Sequence, residues 1–444
     1  MLAMTARQRL IIVLLLSANF MLSADFSILN IALPVVGEAV GLDVHSLPWV
    51  TTAFALPAAG LSLLFGRLGD LYGRRRIFLT GLTLLAAASL LGGVSTGPTM
   101  LLTARALQGM AAAMTAPAAL SLLITTFSDE RQRARVLGLN GSLLSGGFTF
   151  GALAGGTLVG VLSWRWAFLI NVPVALMILV LTLIVVPPAR STEGVRLDVP
   201  GAASVTLGLL TLVFGITERS LFAVVVGLIL LALFVLIERR AKAPLVAIGM
   251  LTLPSVRWGN LAALTIFSME AGLVFLITLY LQEVLHLGPL ITGLIFGVPG
   301  LASVVAGVIA GRIIGRRGAH IVLLAALLVQ GGMTLPLILL GTQATWLWLL
   351  VPALFGSFFG HITAVVAATV TATSEVPDAD KGLATGLITT SQRVAVTIGI
   401  PVLGAVMAAR SDLLAGIRLA LVADVLLTLT AVTLIRAGLN RAGA

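Results

Sequence analysis

Apolar runs of membrane-crossing length recur along the whole chain, and no other feature restricts its fold as severely. A bilayer's hydrocarbon core is about 30 Å thick and a helix rises about 1.5 Å per residue, so each crossing takes on the order of 20 apolar residues. Backbone groups find no water there, so spans patterned this way must satisfy their own hydrogen bonds as helices. Runs bounded by charges or by Gly and Pro turns place about fourteen of them. Six lie near Leu10 to Val36, Trp49 to Phe65, Ile77 to Ser95, Thr99 to Phe127, Ala134 to Leu162 and Trp166 to Val186. A tight pair follows, Gly201 to Thr217 and Leu221 to Ile237. The last six are near Trp258 to Leu281, Leu290 to Ile314, His320 to Leu340, Trp346 to Thr373, Leu383 to Ala409 and Leu413 to Ala437. Charged residues make up only 10% of the chain, against roughly 25% in soluble domains, which excludes a soluble fold.

The formal net charge of +10 does not indicate nucleic acid. Binders of nucleic acid gather Lys and Arg on a solvated face, whereas here they sit in short clusters between apolar runs. Short cytoplasmic loops retain basic residues, and placing the N-terminus inside puts nearly every cluster on that side. These are Arg7/Arg9, Arg67 with Arg74–Arg76, Arg131/Arg133/Arg135, Arg190/Arg196, Arg239/Arg240/Lys242, Arg312/Arg316/Arg317 and Arg436/Arg441, while Arg165, Arg219 and Arg410 fall outside. Both termini are therefore expected in the cytoplasm, with an uncleaved first span and a multi-pass inner-membrane location. There is no cysteine, no phosphate-cradling Gly-x-x-x-x-Gly-Lys-Ser/Thr loop, no metal-binding His-Glu-x-x-His and no nucleophile elbow. No cofactor, metal, ATP or enzymatic chemistry is expected.

The chain also repeats itself. Gly66-Arg67-Leu68-Gly69-Asp70-Leu71-Tyr72-Gly73-Arg74-Arg75-Arg76 follows the second span, and Gly311-Arg312-Ile313-Ile314-Gly315-Arg316-Arg317-Gly318 follows the tenth. Two six-helix halves with a hairpin between them account for this spacing, and transporters built from such repeats bind substrate where the repeats meet. The expected divisions are 1–190 for the first bundle, 191–244 for a polar linker and the inserted hairpin, and 245–444 for the second bundle. The hairpin carries no charge within its spans, which predicts a lipid-facing role.

These residues resemble the major facilitator superfamily, and within it the fourteen-span drug:proton antiporter branch. The Gly66 to Arg76 stretch matches that superfamily's loop signature, in which the acidic and basic members latch the two halves. The resemblance assigns Gly66, Arg67, Gly69, Asp70, Gly73, Arg74 and Arg75 to such a latch. Ala24-Asp25-Phe26-Ser27-Ile28-Leu29-Asn30-Ile31-Ala32-Leu33-Pro34 is similar to the branch's first-span signature. Trp164-Arg165-Trp166-Ala167-Phe168-Leu169-Ile170-Asn171-Val172-Pro173 is similar to the opening of its sixth span. Leu102-Thr103-Ala104-Arg105-Ala106-Leu107-Gln108-Gly109 resembles the fourth-span motif, whose arginine is tied to proton movement in relatives. Gly147, Gly151, Gly155 and Gly156 stand at the spacing of the fifth-span antiporter motif, but Ala152 replaces its proline. Glycines at this spacing also let helices pack closely.

Ionisable groups inside a span are costly, around 2.5 to 3.5 kcal/mol on insertion scales, and face a partner or an aqueous path. Asp25 lies about 15 residues into an outward-going span and Arg105 about 6 into an inward-going one, which by helix rise brings them to nearly the same level. A pair is geometrically open to them. Glu270 is near mid-membrane, as are Arg393 and Asp424, whose neighbouring spans suggest a structural pair and leave Glu270 without an evident basic partner. In the superfamily the first and fourth helices of each half line the cavity, and those spans hold Asp25, Arg105, Glu270 and His361. His361 could equally be a packed core residue. Phe275, Tyr280, Phe355, Phe358 and Phe359 could face a bulky apolar substrate or serve as packing.

The resemblance implies a proton-coupled exporter of hydrophobic or cationic small molecules, working by alternating access as a monomer. Asp25, Arg105 and Glu270 are then expected in proton coupling, and Glu270, Phe275, Phe355, Phe359 and His361 in substrate binding. A proton-coupled importer, favoured by Ala152, and a non-transporting membrane sensor are the alternatives.

Overall fold

The computed structural model describes residues 5–44, 46–126, 130–187, 198–241, 248–377 and 380–442. Pro188, Arg190, Glu193, Arg196 and Lys242 of the expected linkers lie outside them. Among the described residues the regular structure is entirely helical. In chain order the helices are α1 (Ala6–Val40), α2 (Pro48–Gly60), α3 (Ser62–Tyr72), α4 (Arg74–Gly93), α5 (Pro98–Thr126) and α6 (Glu130–Thr157). Then come α7 (Trp166–Leu169), α8 (Asn171–Val185), α9 (Val199–Thr217) and α10 (Leu221–Arg240). The chain ends with α11 (Pro254–Leu279), α12 (Pro289–Arg317), α13 (Ala319–Thr334), α14 (Leu347–Thr373), α15 (Lys381–Met407) and α16 (Leu413–Ala442).

Each apolar run expected to span falls on one or two of these helices. Twelve described helices are long and apolar enough to cross a bilayer, and α2 with α3 makes a thirteenth if that bent pair is one span. The fifth run falls on α6 and the helical turn Leu158–Leu162 that continues it, where the described apolar stretch is the shorter Gly146–Leu162.

Helix boundaries follow local chemistry. Thr5 and Gln8 open α1 with a reciprocal capping box, Thr5 Oγ1 accepting from the Gln8 amide and the Gln8 side chain accepting from the Thr5 amide, which satisfies two otherwise orphaned groups. Proline stands in the first turn of α2, α11 and α12, where its missing N–H costs nothing. The two basic loops turn alike, on Gly73 at φ 99° before α4 and Gly318 at φ 81° before α13. Each donates its amide back to the preceding helix, Gly73 to Gly69 O and Gly318 to Ile314 O. A side chain would be strained at either φ.

The chain divides into two compact units, residues 1–209 and 210–444. The division falls inside α9, the first helix of the expected hairpin. In the first unit Leu15, Phe78, Leu82, Leu85, Leu122 and Ile178 form a core between α1, α4, α5 and α8. In the second, Ile266, Leu323, Leu327, Ala364, Ala368 and Ile435 do the same for α11, α13, α14 and α16. α10 runs past the expected end at Ile237 and buries Glu238.

Candidate functional site

In the first unit the site begins with how closely α1 and α6 approach. A Cβ placed on Gly147 would stand 2.7 Å from Phe20 O, on Gly151 2.8 Å from Ala24 Cα, and on Gly155 2.8 Å from Ile28 Cα. Three successive turns of α6 thus lie against three turns of α1, and Ala152 and Gly156 are buried beside them. Ser23 Oγ donates to Leu144 O at 2.6 Å and Asn19 Nδ2 to Asn140 Oδ1 at 2.7 Å, pinning the register. Asp25 sits within this contact.

Four other helices bring polar groups to that point. From α5, Arg105 Nη1 lies 3.2 Å from Asp25 Oδ2 and also donates to Gln108 Oε1 at 2.8 Å. Its Nε donates to Val50 O of α2 at 3.1 Å, and its guanidinium carbon stands 4.5 Å from the Phe54 ring centroid. Gln108 Nε2 donates to Ser89 Oγ of α4 at 2.8 Å. Asn171, the first residue of α8, donates through Nδ2 to Asp25 Oδ1. Arg105 and Asp25 are 0% and 1% exposed, so neither charge has water to lean on. Removing one partner from a pair buried this way typically costs about 3–5 kcal/mol, because the other is left uncompensated. A guanidinium does not give up its proton in proteins. Asp25 is therefore the member that can take up and release one, and protonation would cancel its attraction to Arg105.

The second unit brings Glu270 of α11 and His361 of α14 together, with His361 Nε2 2.8 Å from Glu270 Oε2. This corrects the expectation that Glu270 lacks a basic partner. The anticipated Arg393–Asp424 pair is not among the ion pairs of the described residues, which join Arg74 to Asp70, Arg105 to Asp25 and His361 to Glu270. Asp424 is buried, and its Oδ2 accepts no hydrogen bond. The Phe267 ring meets the His361 ring edge-on with centroids 5.2 Å apart, and Phe358 lies at 6.3 Å. Of the other aromatics, Phe275 is fully buried, Phe355 is 37% exposed and Phe359 is half-buried. Tyr280 spends its hydroxyl on Gly341 O, at 2.7 Å, which reads as a structural tie.

The first basic loop is bound into its own unit. Asp70 accepts from Arg74 Nε at 3.0 Å, with Nη2 at 2.9 Å. Arg74 Nη1 reaches Ser121 O at the end of α5, and Arg75 Nη2 donates to Leu183 O of α8 at 2.8 Å. Gly69 and Gly73 are buried, and Gly66 and Arg67 are half-buried.

Sequence reasoning named Asp25 and Arg105 but passed over Asn171, Gln108, Ser89 and Phe267. Asn171 is a polar residue opening an apolar span within the Trp164 to Pro173 stretch, and Gln108 lies one helical turn after Arg105. Those spacings were the available signals.

The Major Facilitator Superfamily profile matches residues 15–400. The puromycin resistance protein of Streptomyces alboniger is 35% identical over 407 residues, covering 89% of this chain and 81% of its own. The cephamycin export protein of Amycolatopsis lactamdurans is 35% identical over 411 residues, covering 88% and 83%. The crystal structure of the human organic anion transporter MFSD10 superposes with a TM-score of 0.66 at 17% identity, over 96% of this chain and 99% of that one. The apolar helices agree with a multi-pass protein of the bacterial inner membrane. Matched along nearly all of its length, in sequence and in fold, the chain belongs to the Major Facilitator Superfamily.

Proposed function

We propose that this transporter is a proton-coupled secondary active exporter of hydrophobic or cationic small molecules, working by alternating access of its two halves. On this reading fourteen helices cross the membrane with both termini in the cytoplasm. The halves are residues 1–190 and 245–444, and the hairpin within 191–244 faces lipid. The observation that carries it is the fully buried Asp25–Arg105 pair, bound by Asn171 and Gln108 within helices apolar enough to cross a bilayer. Such a pair is expensive in a membrane and is kept where a proton or substrate must pass. Relatives named for antibiotic resistance and export support the outward direction.

In this scheme Asp25 takes up and releases the driving proton, Arg105 is its counter-charge, and Glu270 reads the charge of the substrate. Asp70, Arg74 and the glycines of the first basic loop latch the halves in one state. The test is purified protein in liposomes under an imposed proton gradient, with lipophilic cations and neutral drugs as cargo. Uptake into inside-out vesicles that consumes the gradient supports export. Ala152 in place of the antiporter-motif proline favours an importer instead, and accumulation in the direction of proton flow would establish that.

A further inference from the structure

Along α16 the buried face runs through Ile417, Leu421, Asp424, Thr428, Val432 and Ile435, the spacing of a single helical stripe. Val432 and Ile435 share a core with Ile266 of α11 and with Leu323 and Leu327 of α13, so the stripe looks onto those two helices. Two polar residues sit at its centre. Level with Thr428, α13 presents Gly331, where a Cβ would stand 3.0 Å from Thr428 Cγ2. The neighbouring Gln330 donates Nε2 to Ile266 O at 3.2 Å and ties α13 to α11.

Asp424 Oδ2, Thr428 Oγ1 and Gln330 Oε1 are all buried without a hydrogen-bond partner among the described residues. Their residues are 2%, 1% and 3% exposed, so bulk water does not reach them. Helical threonines commonly donate to a carbonyl three or four residues back, as Thr430 does to Leu426 O and Thr433 to Thr430 O on the same helix. Thr428 departs from this and keeps its hydroxyl oxygen unused one turn after the carboxylate.

A carboxylate enclosed inside a membrane bundle must be compensated by a proton or a cation. No basic side chain is ion-paired with Asp424 among the described residues, and Arg418 of the same helix gives Nε and Nη2 to Leu340 O. A proton on Asp424 supplies one donor, which serves Thr428 or Gln330 but not both. A metal cation takes oxygen ligands from several side chains at once, and carboxylate, hydroxyl and amide oxygens suit a hard ion. One carboxylate with two neutral oxygens balances a single positive charge, whereas a divalent ion would leave an uncompensated charge among apolar side chains.

We propose that Asp424, Thr428 and Gln330 form a binding site for a monovalent alkali cation inside the second unit, joining α16 to α13. None of these residues belongs to the Asp25–Arg105 or Glu270–His361 pairs, and the site is independent of the direction in which cargo moves.

The experiment is thermal melting of the purified full chain in detergent, with lithium, sodium or potassium chloride titrated against N-methylglucamine chloride at constant ionic strength. At least one alkali ion should raise the wild-type melting temperature saturably, by about 2 °C at tenfold excess over half-saturation. Equilibrium dialysis of that ion should give about one bound per chain. Asp424→Asn should lose both responses and melt in N-methylglucamine at least as high as wild type, since no charge is left to compensate. Thr428→Val, which decides the matter if the first variant does not fold, should raise the half-saturating concentration by about tenfold. Wild-type melting indifferent to all three ions would overturn the site and leave a buried water or proton in its place. So would cation responses unchanged in both variants, or an Asp424→Asn variant that melts lower than wild type by the same amount in every salt.

Discussion

Arg105 shows most directly how one residue type is dictated by its surroundings. Its planar fork serves Asp25, Gln108 and Val50 O at once while lying over Phe54, and a lysine's point charge cannot reproduce that geometry. Arg105→Lys should therefore insert normally and yet lower transport by about tenfold or more, the equivalent of one or two lost charge-assisted hydrogen bonds. Initial rates in liposomes check this, and wild-type rates would count against the geometric role. Asn171→Ala removes the other ligand of Asp25 and should reduce rates by about tenfold as well, with binding of substrate retained. Depth along a helix was readable from the sequence, so Asp25 and Arg105 came out at one level. The direction a side chain points around its helix was not readable. Spans that are apolar on every face carry no stripe to mark the inner side, so sequence order suggested Arg393 with Asp424, whereas the fold instead joins Glu270 to His361.

At the scale of elements, glycine spacing and basic turns organise both units. The α1–α6 contact depends on missing side chains, and at Gly151 a Cβ would stand 2.8 Å from Ala24 Cα, the residue beside Asp25. Gly151→Leu should lower thermal stability in detergent by the equivalent of about 1–3 kcal/mol and abolish transport. Gly307→Ala, on α12 with nothing within 4 Å, should be neutral or slightly stabilising, since alanine is the better helix former. Equal melting temperatures for the two variants would refute the packing account. Asp70→Asn, which discharges the Arg74 partner, is expected to leave insertion intact and slow turnover severely, with normal turnover excluding a latch. These elements were legible because the loop and glycine motifs are local in sequence. The placement of α9 was less so: the Thr206 hydroxyl donates to Gly60 O within the first unit, and Gly227 of α10 packs on Leu212 within the second, contacts that spacing alone does not reveal.

For the whole molecule, the inserted hairpin and the coupling scheme make separable claims. Val225 and Ile229 of α10 are 45% and 60% exposed, as suits lipid-facing side chains. Val225→Leu with Ile229→Leu should leave the range of transported compounds unchanged, and a narrowed range would put the hairpin on the path. The coupling claim is broader, because a single buried acid is assigned the driving proton for every cargo. Its direct test is proton flux through liposomes holding wild type or Asp25→Asn, recorded with an entrapped pH dye as a lipophilic cation and then a neutral drug are added. The account predicts sustained substrate-stimulated proton movement opposite to cargo in wild type, and no sustained flux for either cargo in Asp25→Asn although both still bind. Proton-driven pumping by Asp25→Asn at wild-type rates would contradict it.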